Sequence, residues 1–282
     1  MKFSQLAINQ TRLLQYITAM ADIGMTPKGG CNRQALTKED QHGRQLFLKW
    51  CHQLGGIERR DTMGNLFVRW SGSDHSLPPI LMNSHLDTQP TGGHFDGVYG
   101  VLAALEVVAT LRDANITTQN PLEIAVWTNE EGARFAPAMM GSGVFSGALE
   151  QADIYQSCDK SGVTVYDALV SSQQLGDTPC QPFPIFAALE LHIEQGPILE
   201  SKDIWVMVTP WELLTGTHGG RQAPIPNLTT VNGDPTAAKS NYVSILDMHR
   251  KSILSPVTTS GSSRKAICMT IILEVRKGRC LI

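Results

Sequence analysis

Four short motifs bring histidines and carboxylates together in a fixed order along the chain. They are SHLD at 84–87, GHFDG at 93–97, NEEG at 129–132 and LHIEQG at 191–196. Imidazole and carboxylate groups are ligands that suit Zn²⁺ and also accept Mn²⁺, Co²⁺ or Ni²⁺. A bound metal ion acidifies water and polarises a carbonyl group, which the hydrolysis of an amide or ureido bond requires. The motifs therefore predict a dinuclear metal site for hydrolysing a C–N bond.

The first two motifs offer an imidazole and two carboxylates in different settings. His85 ends an apolar run, as a ligand at the end of a buried strand would. Asp87 lies two residues later, on the same side of an extended chain, where it can orient His85. Asp96 directly precedes an apolar segment with helical spacing, a place from which its carboxylate can bridge two cations.

The pair Glu130 and Glu131 is the sharpest element of the pattern. Adjacent side chains of an extended segment point in opposite directions. One carboxylate can therefore hold metal while the other stays free as a general base. His192, which precedes the turn of the last motif, adds a second imidazole.

Each motif also has an ordinary structural interpretation. A histidine at a strand end is more often a surface or core residue, an aspartate before a helix is usually an N-cap, and paired glutamates are common on solvated surfaces. His94, His218 and His249 keep that interpretation. It weakens for the four motifs because several metal-type ligands follow successive predicted strands, each beside a glycine.

Hydrophobic periodicity places these motifs on an α/β framework with a mostly parallel sheet flanked by helices. Ligands at the carboxyl ends of strands fit the rule for such sheets. Thr37 is the expected N-cap of the second helix, which should end before Gly55. The predicted helices lie at 10–21, 37–54 and 97–111, and the predicted strands at 65–70, 79–85, 122–128, 187–193 and 266–275.

Composition narrows the class of protein. With 282 residues, 42% hydrophobic content and a net charge of −3, the chain is typical of a globular protein without affinity for nucleic acid. No apolar run predicts a membrane span or a signal peptide. Six scattered cysteines without a C-x-x-C pair indicate reduced thiols, and hence a cytoplasmic location.

Three stretches, at 84–111, 127–147 and 189–200, resemble M20-type metallo-amidohydrolases of the hydantoinase/carbamoylase branch. That branch includes N-carbamoyl-L-amino acid hydrolases, allantoate amidohydrolases and some ureidopropionases. The resemblance covers roughly residues 12–200 and implies a zinc-peptidase-like catalytic domain. It also implies two divalent metal ions and a small-molecule amide or ureido substrate.

The resemblance assigns each site residue a role. His85, Asp96 and His192 would hold one metal ion, and Asp96 would bridge to a second ion held by Glu131. Glu130 would be the general base, and Asp87 would support His85. Gln195 is similar to a family residue near the substrate.

Beyond residue 200 the resemblance ends. Similar proteins continue into a lid domain that forms their dimer, and then supply a final metal-binding histidine. Neither is recognisable here, so residues 1–200 are expected to form the catalytic part and 201–282 an atypical tail, with a doubtful dimer and an incomplete second metal site. A frameshift near 201–210 or a genuinely shortened paralogue explains the change. The alternatives to an active amidohydrolase are an inactive remnant of the family and an aminoacylase or peptidase of the same clan.

Overall fold

A computed structural model describes residues 6–195 and two later strands, of which only the backbone is considered. The helices are α1 (Gln10–Ala21), α2 (Lys38–Gln53), α3 (Val98–Asp113), α4 (Met140–Phe145), α5 (Gln151–Gln156) and α6 (Val165–Ser171). The strands are β1 (Ile57–Arg60), β2 (Leu66–Trp70), β3 (Ile80–His85), β4 (Leu122–Trp127), β5 (Ala187–Ile193), β6 (Val206–Thr209) and β7 (Ile267–Ile272).

The strands form one seven-stranded sheet in the order β1-β2-β4-β3-β5-β7-β6. Its centre is parallel, because β3 pairs in parallel with both β4 and β5. The β1–β2, β2–β4 and β5–β7 pairs are antiparallel. The α/β class is therefore confirmed, but the sheet is mixed rather than mostly parallel. β6 and β7 form a further parallel pair. The central parallel strands are the important ones for the site, because β3 carries His85, β5 carries His192, and the glutamate pair follows β4.

Helices cover both faces of this sheet. On one face α1, α2 and α3 bury their apolar residues against β2, β3 and β4. On the other face Phe145 of α4 packs with Phe67 and Trp127. Every residue of β4 is buried, including Glu123, as expected for a strand that is covered on both faces.

Local signals fix the ends of the first two helices as predicted. The Asn9 side chain accepts a hydrogen bond from the backbone N–H of Arg12 and caps α1. Thr37 Oγ1 accepts from the N–H of Asp40, at 3.3 Å, and caps α2. The last residue of α2 is Gln53, before the glycine pair at 55–56.

Helix α3 lies very close to the two strands that carry the histidines. A Cβ atom on Gly100 would sit 2.5 Å from the carbonyl oxygen of Leu191 and 2.8 Å from Cβ of Ser84. Only a residue without a side chain permits this approach. The glycine therefore sets the distance between the start of α3 and the ends of β3 and β5.

The proposed boundary at residue 200 lies outside the described residues, as do His218 and His249. The predicted strand at 266–275 is confirmed where it is described, as β7. Within the described part, no helix combines the length and apolarity needed to cross a membrane.

Candidate metal centre

His85 ends β3 with its ring almost completely buried. Its Nδ1 lies 2.9 Å from the carbonyl oxygen of Asp87. Because a carbonyl only accepts, Nδ1 carries the proton and the lone pair is left on Nε2. A Cβ on Gly97 would collide with the imidazole, so the glycine makes room for the ring. In its neutral form the ring therefore offers Nε2 as a ligand atom for a metal ion.

Asp96 lies 8% exposed at the entrance to α3. It is not the N-cap: Gly97 holds that position, and no side chain caps the helix. Asp96 Oδ1 is 3.2 Å from Nε2 of His192, and Gln195 Nε2 donates to Asp96 Oδ2. His192 Nδ1 lies 2.8 Å from its neighbouring carbonyl oxygen, that of Ile193, which leaves Nε2 on the side of Asp96.

These three side chains form a group suited to a metal ion. One ligand atom from each of His85, Asp96 and His192 lies within 4.8 Å of the others. Nε2 of His85 and Oδ1 of Asp96 are buried, and neither has a hydrogen-bond partner among the described residues. Buried polar atoms are rarely left unpaired. Two imidazoles and a carboxylate, with two of these atoms left without a partner in the described part of the chain, therefore fit a divalent cation such as Zn²⁺.

The glutamate pair follows β4 on a tightly held turn. Asn129 adopts a left-handed conformation, with φ of 52°. The backbone N–H groups of Glu130 and Glu131 donate to the two carboxylate oxygens of Asp87, at 3.3 and 3.2 Å. Asp87 thereby ties this turn to the end of β3, with its Oδ1 3.8 Å from Nδ1 of His85.

The two glutamates face different partners, as their adjacency predicts. Glu130 Oε2 lies 3.4 Å from His85 Nε2, and its side chain is 30% exposed. Glu131 Oε2 accepts a hydrogen bond of 2.6 Å from Gln89 Nε2. Glu131 Oε1 is buried without a partner among the described residues. Glu131 lies outside the three-residue group, so its role as a ligand remains a prediction.

Burial and charge act against each other in this site. Burial raises the pKa of Asp87, and it likewise raises the pKa of Glu131 above its ordinary value. For His85 burial alone would lower the pKa, but the carboxylates of Asp87 and Glu130 reverse the direction and raise it. A cation at the centre would favour the charged carboxylates and the neutral imidazole instead.

Three polar residues near the centre were not singled out from the sequence. Ser84 Oγ donates to Glu190 Oε1 at 2.7 Å, and burial raises the pKa of that glutamate. Gln89 contacts Glu131, as described above. Position is the one available signal: Glu190 precedes His192 by two residues, and Gln89 follows Asp87 by two.

Known proteins match a large part of this chain. A ureidoglycolate hydrolase of Oryza sativa subsp. japonica is 33% identical over 208 residues, which are 71% of this chain and 43% of that protein. An N-carbamoyl-L-amino-acid amidohydrolase of Rhizobium meliloti is 46% identical over 196 residues, covering 70% of this chain and 47% of the relative.

Solved structures that match this chain also include amidases. The crystal structure of a hydantoinase/carbamoylase family amidase from Burkholderia ambifaria matches with 52% identity and a TM-score of 0.69, over 71% of this chain and 49% of that one. The chain thus spans about half the length of the relatives it matches. The family model described as Peptidase family M20/M25/M40 matches residues 81–274. The resemblance of the motifs is thereby confirmed, and the chain belongs to this metal-dependent family.

Proposed function

We propose that this chain is an amidohydrolase for linear amide or ureido C–N bonds, of the N-carbamoyl-L-amino acid or allantoate type. One observation carries the proposal. Two imidazoles and a buried carboxylate converge within 4.8 Å, with the partly exposed side chain of Glu130 beside them. The names of the relatives, amidohydrolase and ureidoglycolate hydrolase, support this substrate class.

The cofactors proposed are two divalent metal ions, drawn from Zn²⁺, Mn²⁺, Co²⁺ and Ni²⁺. His85, Asp96 and His192 would hold the first ion. Asp96 and Glu131 would hold the second, for which the described residues offer fewer ligands, so it should bind more weakly. Bound metal would supply polarisation of the scissile carbonyl and a lowered pKa for the attacking water.

Glu130 is the proposed general base. Its Oε2 reaches to 3.4 Å from His85 Nε2, and its partial exposure leaves room for water and substrate. Glu130 accepts a proton from the attacking water and delivers it to the leaving nitrogen. Asp87 holds the turn that carries Glu130 and keeps the protonated Nδ1 of His85 in place. Gln195, beside Asp96, is the proposed substrate contact.

Metal content tests the centre without relying on turnover. We expect the dialysed protein to retain at least one metal ion per chain, measured by elemental analysis. His192→Asn should lose it, because the variant lacks one of three ligands. The control is His52→Asn, since His52 is 52% exposed in a surface ion pair with Glu58.

Equal metal content in the two variants would remove His192 from the centre. Retention by the unmodified chain and the control, combined with no ammonia release from N-carbamoyl-L-amino acids or allantoate, would favour the inactive alternative. If amino acids are released from dipeptides or N-acyl amino acids, and no ammonia is released from the carbamoyl substrates, the peptidase or aminoacylase hypothesis would be favoured.

A further inference from the structure

Gln89 makes a double contact with Glu131. Its Nε2 donates to Oε2 of the carboxylate at 2.6 Å and lies 3.4 Å from the backbone oxygen of the same residue. Both acceptors lack protons to give in the charged state, so the NH₂ group of the amide must face them. A single side chain thus holds both the backbone and the carboxylate of Glu131.

The loop that carries Gln89 is itself anchored. The backbone N–H of Thr88 donates to the carbonyl of Arg33 at 2.9 Å, and Gly92 N–H donates to the carbonyl of Gln89 at 3.1 Å. Arg33 is 1% exposed, and its Nε donates to the Leu86 carbonyl at 2.8 Å. Although the Gln89 side chain is exposed, the backbone that carries it is therefore held in place by buried contacts.

The hydrogen bond from Gln89 engages one carboxylate oxygen of Glu131 and leaves the other without a partner in the described part of the chain. Oε2 is occupied by the amide, whereas Oε1 is buried without a partner among the described residues. The Glu131 N–H is held by Asp87, so the side chain is restrained from both ends. A carboxylate held in this way has a fixed orientation, with Oε1 as the oxygen available to a ligand.

Resting on the proposed function, we infer that Gln89 is a positioning residue for the second metal ion. By occupying Oε2 it would leave Oε1 of Glu131 as the oxygen available to that ion, while Glu130 lies beside His85. Such supporting hydrogen bonds commonly change metal affinity by about 10- to 100-fold. An ordinary surface hydrogen bond would contribute only to stability, and little to that.

The test is a metal titration of the full chain by calorimetry with Mn²⁺, comparing the unmodified protein with Gln89→Leu. We expect two binding events in the unmodified protein. In the variant the weaker event should lose about 10- to 100-fold in affinity, while the tighter one is unchanged. The matched control is Gln119→Leu, because Gln119 is exposed before the start of β4, at the opposite end of that strand.

A second variant separates positioning from a general effect on the fold. In a Glu131→Gln background, adding Gln89→Leu should cause no further loss of metal affinity, because the ligand to be positioned is already gone. The melting temperatures of Gln89→Leu and Gln119→Leu should agree.

Each other outcome identifies what fails. Two metal ions bound with equal affinities by the unmodified protein and Gln89→Leu would refute the inference and leave the proposed function intact. Weakening of both events together with a lowered melting temperature would show a structural role and overturn the inference. A single binding event in the unmodified protein would refute the second-metal part of the proposed function and the inference with it.

Discussion

Arg44 gives the strongest prediction about stability, because it is a buried cation beneath the candidate site. Its side chain is 1% exposed and its Nε lies 3.0 Å from Oδ1 of Asp40, which is fully buried. The guanidinium also donates to the carbonyls of Gly64 and Trp127, at 2.9 and 3.2 Å. Trp127 is the last residue of β4, so this contact supports the turn that carries the glutamate pair.

Arg44→Met should remove about 3–5 kcal/mol from the free energy of unfolding, because it leaves the Asp40 charge buried without its cation. Asp40 would keep hydrogen bonds from the Leu36 N–H and from Gln174 Nε2, but neither donor carries a charge. The assay is urea denaturation followed by far-ultraviolet circular dichroism. In the double variant with Asp40→Leu, the loss should be smaller than the sum of the two single losses.

The control for this prediction lies on the same helix. Lys49 is exposed, so Lys49→Met should change the free energy of unfolding by no more than about 0.5 kcal/mol. A loss below about 1 kcal/mol for Arg44→Met, or additive losses in the double variant, would refute the reasoning that the pair acts as one buried charge-compensated unit.

Two further variants test the packing of α3 against β5 and the hydrogen bonds of the Asp159 carboxylate. Gly100→Ala should destabilise the chain by about 1–3 kcal/mol in urea, because the new Cβ would meet the Leu191 carbonyl at 2.5 Å; unchanged stability would show that α3 and β5 can separate at little cost. Asp159 accepts hydrogen bonds from Ser161, from the N–H of Val163 and from Arg134, and these lower its pKa to about 2. Since the folded pKa lies below the unfolded value of about 3.9, the stabilisation is fully present above about pH 5 and is lost as the pH falls towards 2. The stability difference between the unmodified chain and Asp159→Asn, measured by thermal melting, should therefore narrow from about pH 5 to about pH 2; a constant difference would contradict this.

The elements predicted best from the sequence are those with a clear run or helical spacing of apolar residues. The bounds of α1 and β5 match the predicted ones, and β3 and β4 end within a residue of the predicted positions. Because β3, β4 and β5 are parallel neighbours, the residues at or just beyond their ends had to meet. This is why His85 and His192 could be brought to one site, and the glutamate pair beside it, from motif order alone.

Other features depend on contacts that a linear pattern does not reveal. The sequence of β1, IERR, carries three charged residues, and its pairing comes from β2 rather than from its own periodicity. Asp40 and Arg44, four residues apart on α2, resemble an ordinary surface ion pair in the sequence. Their burial depends on distant contacts, such as those of Arg44 with the carbonyls of Gly64 and Trp127. Gln89 lies on a loop, and its contact with Glu131 spans 42 positions of sequence.

The proposed function depends on Glu130 acting as general base in the hydrolysis of a linear amide or ureido bond. It is tested most directly by ammonia release from N-carbamoyl-L-amino acids and allantoate, using Mn²⁺-loaded protein and its Glu130→Gln variant. We expect turnover by the unmodified chain and a loss of about 10²- to 10⁴-fold in the variant, with equal metal content in both. Equal turnover in the two proteins, or no turnover from folded, metal-loaded unmodified protein, would contradict it.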